Sequence, residues 1–181
     1  KLFDQLTHRK DINDSDLNFI KENDLQIISQ QTEFLGVNYY SRGVIRSNEI
    51  SESQNLPKNV EMGPETDFGW EVYPPGLYDL LVKLKKEYDV GTIFITENGC
   101  SYSDGPNEEN KIKDQRRIDY HHSHLLEIQK AIDDGVDCMG YFAWSLMDNF
   151  EWAQGFSQRL GLVLVDFESL ERTPKESYPV S

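Results

Sequence analysis

The chain has 181 residues, of which 38% are hydrophobic and 12% aromatic, the size and composition of one globular domain with a core of its own. Eighteen basic residues against 32 acidic ones leave a net charge of -14, a surface that repels phosphate backbones and argues against a nucleic-acid partner. No apolar run approaches the roughly 20 residues that span a bilayer, so no membrane partner is expected.

In chain order, Asn13-Asp14-Ser15 fits a glycosylation sequon but reads better as the start of a helix. Asp14-Ser15-Asp16, followed by Leu17, Ile20, Leu25 and Ile28, predicts a capped amphipathic helix. Phe34-Leu35-Gly36-Val37-Asn38-Tyr39-Tyr40 is an apolar and aromatic run that suits a buried strand. Residues 47–69 are polar and form a long loop, of a length that usually serves function or motion. Pro74-Pro75-Gly76 opens a helix carrying Leu77, Leu80, Leu81 and Leu84 at helical spacing. Thr92-Ile93-Phe94-Ile95-Thr96 is the next buried strand and runs directly into Glu97-Asn98-Gly99. A second polar loop extends through residue 110. Arg117 to Ile132 places Ile118, Leu125, Ile128 and Ile132 on one helical face and ends at Gly135. Met139 to Trp144 is a third strand, and Leu162 to Val165 a short extended piece.

The repeated helix–strand order implies a parallel sheet with helices outside it, an α/β fold in which chemistry gathers where strands end and loops begin. All three strands end in polar or aromatic clusters: Asn38-Tyr39-Tyr40, Glu97-Asn98, and Trp144 through Trp152. A carboxylate placed directly after apolar strand residues, as Glu97 is, must be paired, hydrogen-bonded or catalytic. Glu151 stands between aromatic residues; indole faces stack on pyranose C–H faces while a carboxylate accepts sugar hydroxyls, so Trp144, Glu151 and Trp152 read either as a sugar clamp or as ordinary core. Tyr39 and Tyr40 leave the same two readings open. His121, His122 and His124 look like a metal cluster, but only residues 121 and 124 share a helical face, and no matching ligand set accompanies them. No metal or cofactor is expected. Two cysteines, Cys100 and Cys138, are too few for a disulfide framework and lack metal-ligand spacing; free thiols in a reducing, cytoplasmic compartment are the expectation.

Several of these segments together resemble glycoside hydrolase family 1. Ile95-Thr96-Glu97-Asn98-Gly99 resembles that family's nucleophile motif, Phe34 to Ser41 its sixth barrel strand, and Trp144-Ser145-Leu146-Met147-Asp148-Asn149-Phe150-Glu151-Trp152 its eighth-strand signature. Arg159-Leu160-Gly161-Leu162, Val165-Asp166, Arg172, Lys175 and Ser177 resemble its closing segment. The resemblance implies a (β/α)8 TIM barrel, of which residues 1–181 would be the carboxyl-terminal portion, about strands six to eight. It implies a retaining β-glycosidase acting on terminal β-linked sugars, with a β-glycoside or oligosaccharide as substrate.

By position, the resemblance makes Glu97 the nucleophile, Tyr40 its hydrogen-bond donor and Asn38 a shaper of the glycone site. Glu151 and Trp152 would hold sugar hydroxyls, Trp144 would form the floor under the ring and Trp70 would line the aglycone side. A cis Trp144–Ser145 peptide is implied as well. The family's second carboxyl group sits in an Asn-Glu-Pro motif, which this sequence lacks. Truncation explains that departure: the amino-terminal half of the same barrel would be an obligatory partner, and the chain alone would be inactive. Leu160 and Leu164 stand where the family usually has aromatics, which would leave the glycone site roomier. A 6-phospho-β-glycosidase and a noncatalytic sugar-binding fragment are the alternatives; Glu151 would repel a phosphate.

Overall fold

The computed structural model describes residues 19–44, 61–88 and 90–178. The sequon, the expected helix start at Asp14 and part of the long loop lie outside those residues. The chain divides into two units, Lys1–Glu33 and Phe34–Ser181.

In the first unit, the described part of the expected amphipathic helix contains α1, Asp24–Ile28, which buries none of its residues. Lys21 donates its amide to Asp24 Oδ2 at 2.8 Å. Five residues make little more than one turn. Leu25 and Ile28 are correspondingly exposed.

The second unit keeps the strand–helix alternation. It contains β1 (Phe34–Asn38), α2 (Pro75–Glu87), β2 (Thr92–Asn98), α3 (Gln115–Asp133), β3 (Cys138–Ala143), β4 (Val163–Val165) and β5 (Arg172–Pro174). Strands β1, β2 and β3 form one parallel sheet in that order. The connections through α2 and α3 supply the crossovers that parallel strands require. Alternation along β2 sends Ile93 and Ile95 into a core with Val37, Leu77, Leu81, Ile128, Ala131 and Val136. Leu77, Leu81 and Ile95 are fully buried, each side chain contributing about 1.5–3 kcal/mol of hydrophobic stabilisation. On the opposite face of the sheet, Phe34 meets Phe94 edge-on at 5.2 Å, and Phe34 and Phe142 remain half exposed. Gly140 is required there, because a Cβ would stand 2.5 Å from the Phe94 ring.

Helix α2 begins with Pro at its first position and α3 ends where Gly135 adopts φ +85°, both as the sequence predicts. The extended piece near the end is one half of an antiparallel pair, β4 with β5, that periodicity did not reveal. Buried charges tie this closing segment to α3. Asp114 accepts the Ser177 amide at 2.9 Å and its hydroxyl at 2.5 Å, and pairs with the fully buried Arg117 at 3.1 Å. Arg117 also donates to the carbonyls of Cys100, Tyr102 and Arg159, so its charge is satisfied without solvent.

The histidines divide as the helical face requires: His121 and His124 are buried and His122 is exposed. His121 Nδ1 lies 2.7 Å from the Tyr141 hydroxyl, and His124 Nδ1 lies 2.7 Å from the Tyr120 carbonyl. Burial pushes both rings down to about 4, against an unfolded value near 6.5. The stability that these neutral rings contribute is therefore complete above pH 6.5 and is lost as pH falls toward 4, where the unfolded chain binds protons that the folded state refuses. Thermal unfolding of the complete protein between pH 7 and 4, compared with His124→Phe, should show the variant's stability falling less steeply, by up to about 1.4 kcal/mol per pH unit. Identical slopes would contradict a neutral buried His124.

Candidate active site

Where β2 ends, strict alternation would point Glu97 into the helix layer beside Ile95. A register shift prevents this: Val37 pairs with Ile95, but Asn38 pairs with Glu97, so Thr96 is passed over. Irregularities of this kind re-aim side chains at strand ends. Glu97 consequently lines an open cleft of about 240 Å³ together with Tyr40, Trp70, Trp144, Glu151, Trp152 and Leu160.

Tyr40 donates its hydroxyl to Glu97 Oε2 at 2.6 Å. Burial first, and then that bond to the carboxylate, raise the phenol well above its ordinary range, so Tyr40 remains a donor at every working pH. Its ring meets Trp70 at 5.1 Å, and Trp70 stacks on Phe68 at 4.1 Å. The Trp70 segment is pinned by hydrogen bonds with Thr66 and by Glu71, which is buried beside Arg42. Arg42 reaches Glu71 with Nε at 2.7 Å and Nη2 at 2.9 Å, and the Gly63 amide adds a third bond at 2.7 Å. Arg42 first and Gly63 second hold the Glu71 carboxyl below its usual range. Neither Arg42 nor Glu71 carries a local sequence signature, because the pair forms between residues far apart in the chain.

Trp144 reaches the cleft by a different device. Its amide donates to the Asn98 carbonyl at 2.8 Å, and its own carbonyl passes so close to Gly99 that a Cβ there would lie 1.7 Å away. The Trp144–Ser145 peptide is cis, as the resemblance implied. Beyond it, the loop to residue 160 is organised around Asp148, a buried carboxylate. Asp148 accepts the amides of Gly161 at 2.8 Å and Val165 at 3.3 Å, and pairs with Arg159 at 3.2 Å and Lys175 at 3.5 Å. Lys175 also donates to the Gly161 carbonyl at 2.6 Å, and burial lowers its ammonium to about 8. Glu151 and Trp152 occupy a tight turn in which Glu151 N donates to Gly155 O at 2.6 Å and Gly155 takes φ +58°. Trp152 itself is 82% exposed.

All three tryptophans of the chain thus line one cleft with two carboxylates and, among the described residues, no cationic side chain. Leu160 belongs to the same wall and is nearly fully buried. Asn38 is the exception among the expected site residues. It sits exposed at the end of β1, where its Oδ1 accepts the Thr96 hydroxyl at 2.7 Å, and it does not line the cleft. Among the described residues, no three His, Cys, Asp or Glu side chains gather as a metal set.

The model of glycosyl hydrolase family 1 matches residues 2–179. β-Glucosidase A of Acetivibrio thermocellus is 44% identical over 158 residues, covering 86% of this chain and 35% of that protein. The 6-phospho-β-galactosidase of Staphylococcus haemolyticus is 41% identical over 174 residues, covering 84% of this chain and 37% of its own length. The solved family 1 β-glucosidase of Thermotoga maritima superposes with a TM-score of 0.78 at 39% identity, over 89% of this chain and 37% of that one. The same enzyme has been solved in complex with glucoimidazole, matching at TM-score 0.74 and 38% identity over the same shares. These neighbours are TIM barrels, and the chain spans little more than a third of their length, so the three-stranded sheet corresponds to part of a barrel. With the match running over nearly every residue, the chain belongs to glycosyl hydrolase family 1.

Proposed function

We propose that this chain is the nucleophile-bearing portion, about strands six to eight, of a retaining β-glycosidase that hydrolyses terminal β-linked sugars. The observation that carries the reading is the 2.6 Å bond from Tyr40 to Glu97 in a cleft walled by all three tryptophans. A carboxylate oriented by a phenol donor is placed to act as a nucleophile, and indole faces suit the C–H surfaces of a pyranose. Glu97 attacks the anomeric carbon as the glycosidic oxygen departs, forming a covalent glycosyl-enzyme. Water then releases the sugar with its configuration retained. A second carboxyl group about 5 Å away must protonate the departing oxygen and later activate the water. The amino-terminal half of the barrel supplies it, together with the strands that cover Phe34 and Phe142, and residues 1–181 alone are inactive. The two free cysteines accord with a reducing, cytoplasmic setting.

Glu151 holds glycone hydroxyls and transfers no proton. It stands in the cleft with Glu97, and among the described residues no Lys or Arg joins them there. A phosphorylated sugar would meet two carboxylates without a counter-charge, which favours unphosphorylated glycosides over the 6-phospho substrates that one relative's name specifies.

Proton NMR of the complete protein hydrolysing an aryl β-glucoside should show the β-anomer forming first, and Glu97→Ala should abolish turnover by about 10⁴-fold or more. Initial release of the α-anomer, or a Glu97→Ala enzyme with substantial activity, would contradict the assignment. Kinetics of Glu151→Gln should show kcat/KM reduced by about 10²-fold, the loss of one charge-assisted hydrogen bond, with retention intact. The wild-type protein should also prefer the glucoside over its 6-phosphate by at least about ten-fold. A preference for the phosphate would reverse the choice of substrate class.

A further inference from the structure

Below the cleft lies a chain of polar side chains that the catalytic reading does not use. Asn98, the residue after Glu97, is fully buried. Its Nδ2 donates to Tyr39 O at 2.7 Å and to the Tyr120 hydroxyl at 3.1 Å, while its Oδ1 accepts the Tyr141 hydroxyl at 2.7 Å. Tyr120 in turn donates its own proton to Tyr40 O at 3.2 Å. The carbonyls of Tyr39 and Tyr40 are those that bracket the Cα of Tyr40. One amide side chain, directly and through Tyr120, therefore fixes both peptides that carry the phenol bonded to Glu97.

Proton accounting makes the network directional. The two Nδ2 bonds settle which end of the Asn98 amide is which, so Tyr141 must give its only proton to Oδ1. The Tyr141 oxygen is then free only to accept, and His121 Nδ1, 2.7 Å away, must carry the hydrogen. Donation runs from His121 through Tyr141 to Asn98 and onward through Tyr120 to Tyr40, with each hydroxyl proton committed. A carboxylate of the same shape at position 98 would have no proton for Tyr39 O.

Building on the assignment of Glu97 as nucleophile, we propose that Asn98 is a positioning residue that sets the geometry of the Tyr40–Glu97 pair, held in its orientation by Tyr141 and His121. Asn98 touches neither cleft nor substrate and acts through Tyr40.

The test uses the complete protein and an activated 2-deoxy-2-fluoro-β-glucoside, whose inactivation kinetics separate binding (Ki) from covalent capture (ki). Asn98→Asp should lower ki by at least about ten-fold while Ki stays within about two-fold. Tyr141→Phe, which deletes one hydroxyl, should lower ki in the same direction by a smaller factor. In a Tyr40→Phe background, Asn98→Asp should cost less than in the wild type, because the residue through which it acts is already impaired. A merely structural role would give equal losses in both backgrounds, or a Ki that rises as ki falls, and either result overturns the proposal. If Asn98→Asp does not fold, Tyr141→Phe decides: a ki indistinguishable from wild type overturns it. Normal labelling of the wild type with unaffected variants defeats this inference alone, whereas a wild type that is not labelled defeats the nucleophile assignment and this inference with it.

Discussion

The backbone of β2 is held on both sides where it leaves the sheet: Glu97 O accepts the Tyr39 amide at 3.0 Å, and Asn98 O accepts the Trp144 amide at 2.8 Å. These two bonds bring the ends of three parallel strands to one point. Tyr40, Glu97 and Trp144 leave three different segments yet line the same cleft because their strands are locked in register there. Gly99 is the condition for this crossing, since any Cβ at that position would occupy the path of the Trp144 carbonyl. The closing segment then fixes the remaining wall. Asp148, Lys175 and Arg159 hold the loop that carries Glu151 and Trp152, and Asp114 with Arg117 anchors the chain beyond it.

The two layers of this arrangement serve different ends. The helix-side core is apolar and supplies stability. The layer under the cleft is polar, buried and almost fully paired, which provides orientation more than stability. Tyr120, Tyr141 and Asn98 belong to this second layer, and their hydrogen bonds are satisfied by one another and by backbone carbonyls. A carboxylate and a phenol that must meet at 2.6 Å in an open cleft need such a foundation, because solvent alone would let both rotate away.

Much of the fold was legible because parallel strands buried by helices read as short apolar runs, and the helices between them carry their own start and stop signals. The β2 run with its terminal carboxylate, Pro75 at the start of α2 and Gly135 after α3 are such signals. What was not legible depends on pairing across long sequence separations. The register shift opposite Val37 and Asn38 decides where Glu97 points, and no local pattern announces it. The partnership of β4 with β5 and the Arg42–Glu71 pair under Trp70 are likewise invisible to periodicity. Asn38 is a further case. Its place in the motif gives no hint that its side chain accepts the Thr96 hydroxyl of the neighbouring strand.

The proposed mechanism rests on one carboxylate, at the end of β2, becoming covalently bonded to the sugar. Treating the complete protein with an activated 2-fluoro-glycoside and mapping the modified peptide by mass spectrometry examines it directly. A single adduct on Glu97 is expected; an adduct on Glu151, or on a residue outside this chain, would contradict the assignment.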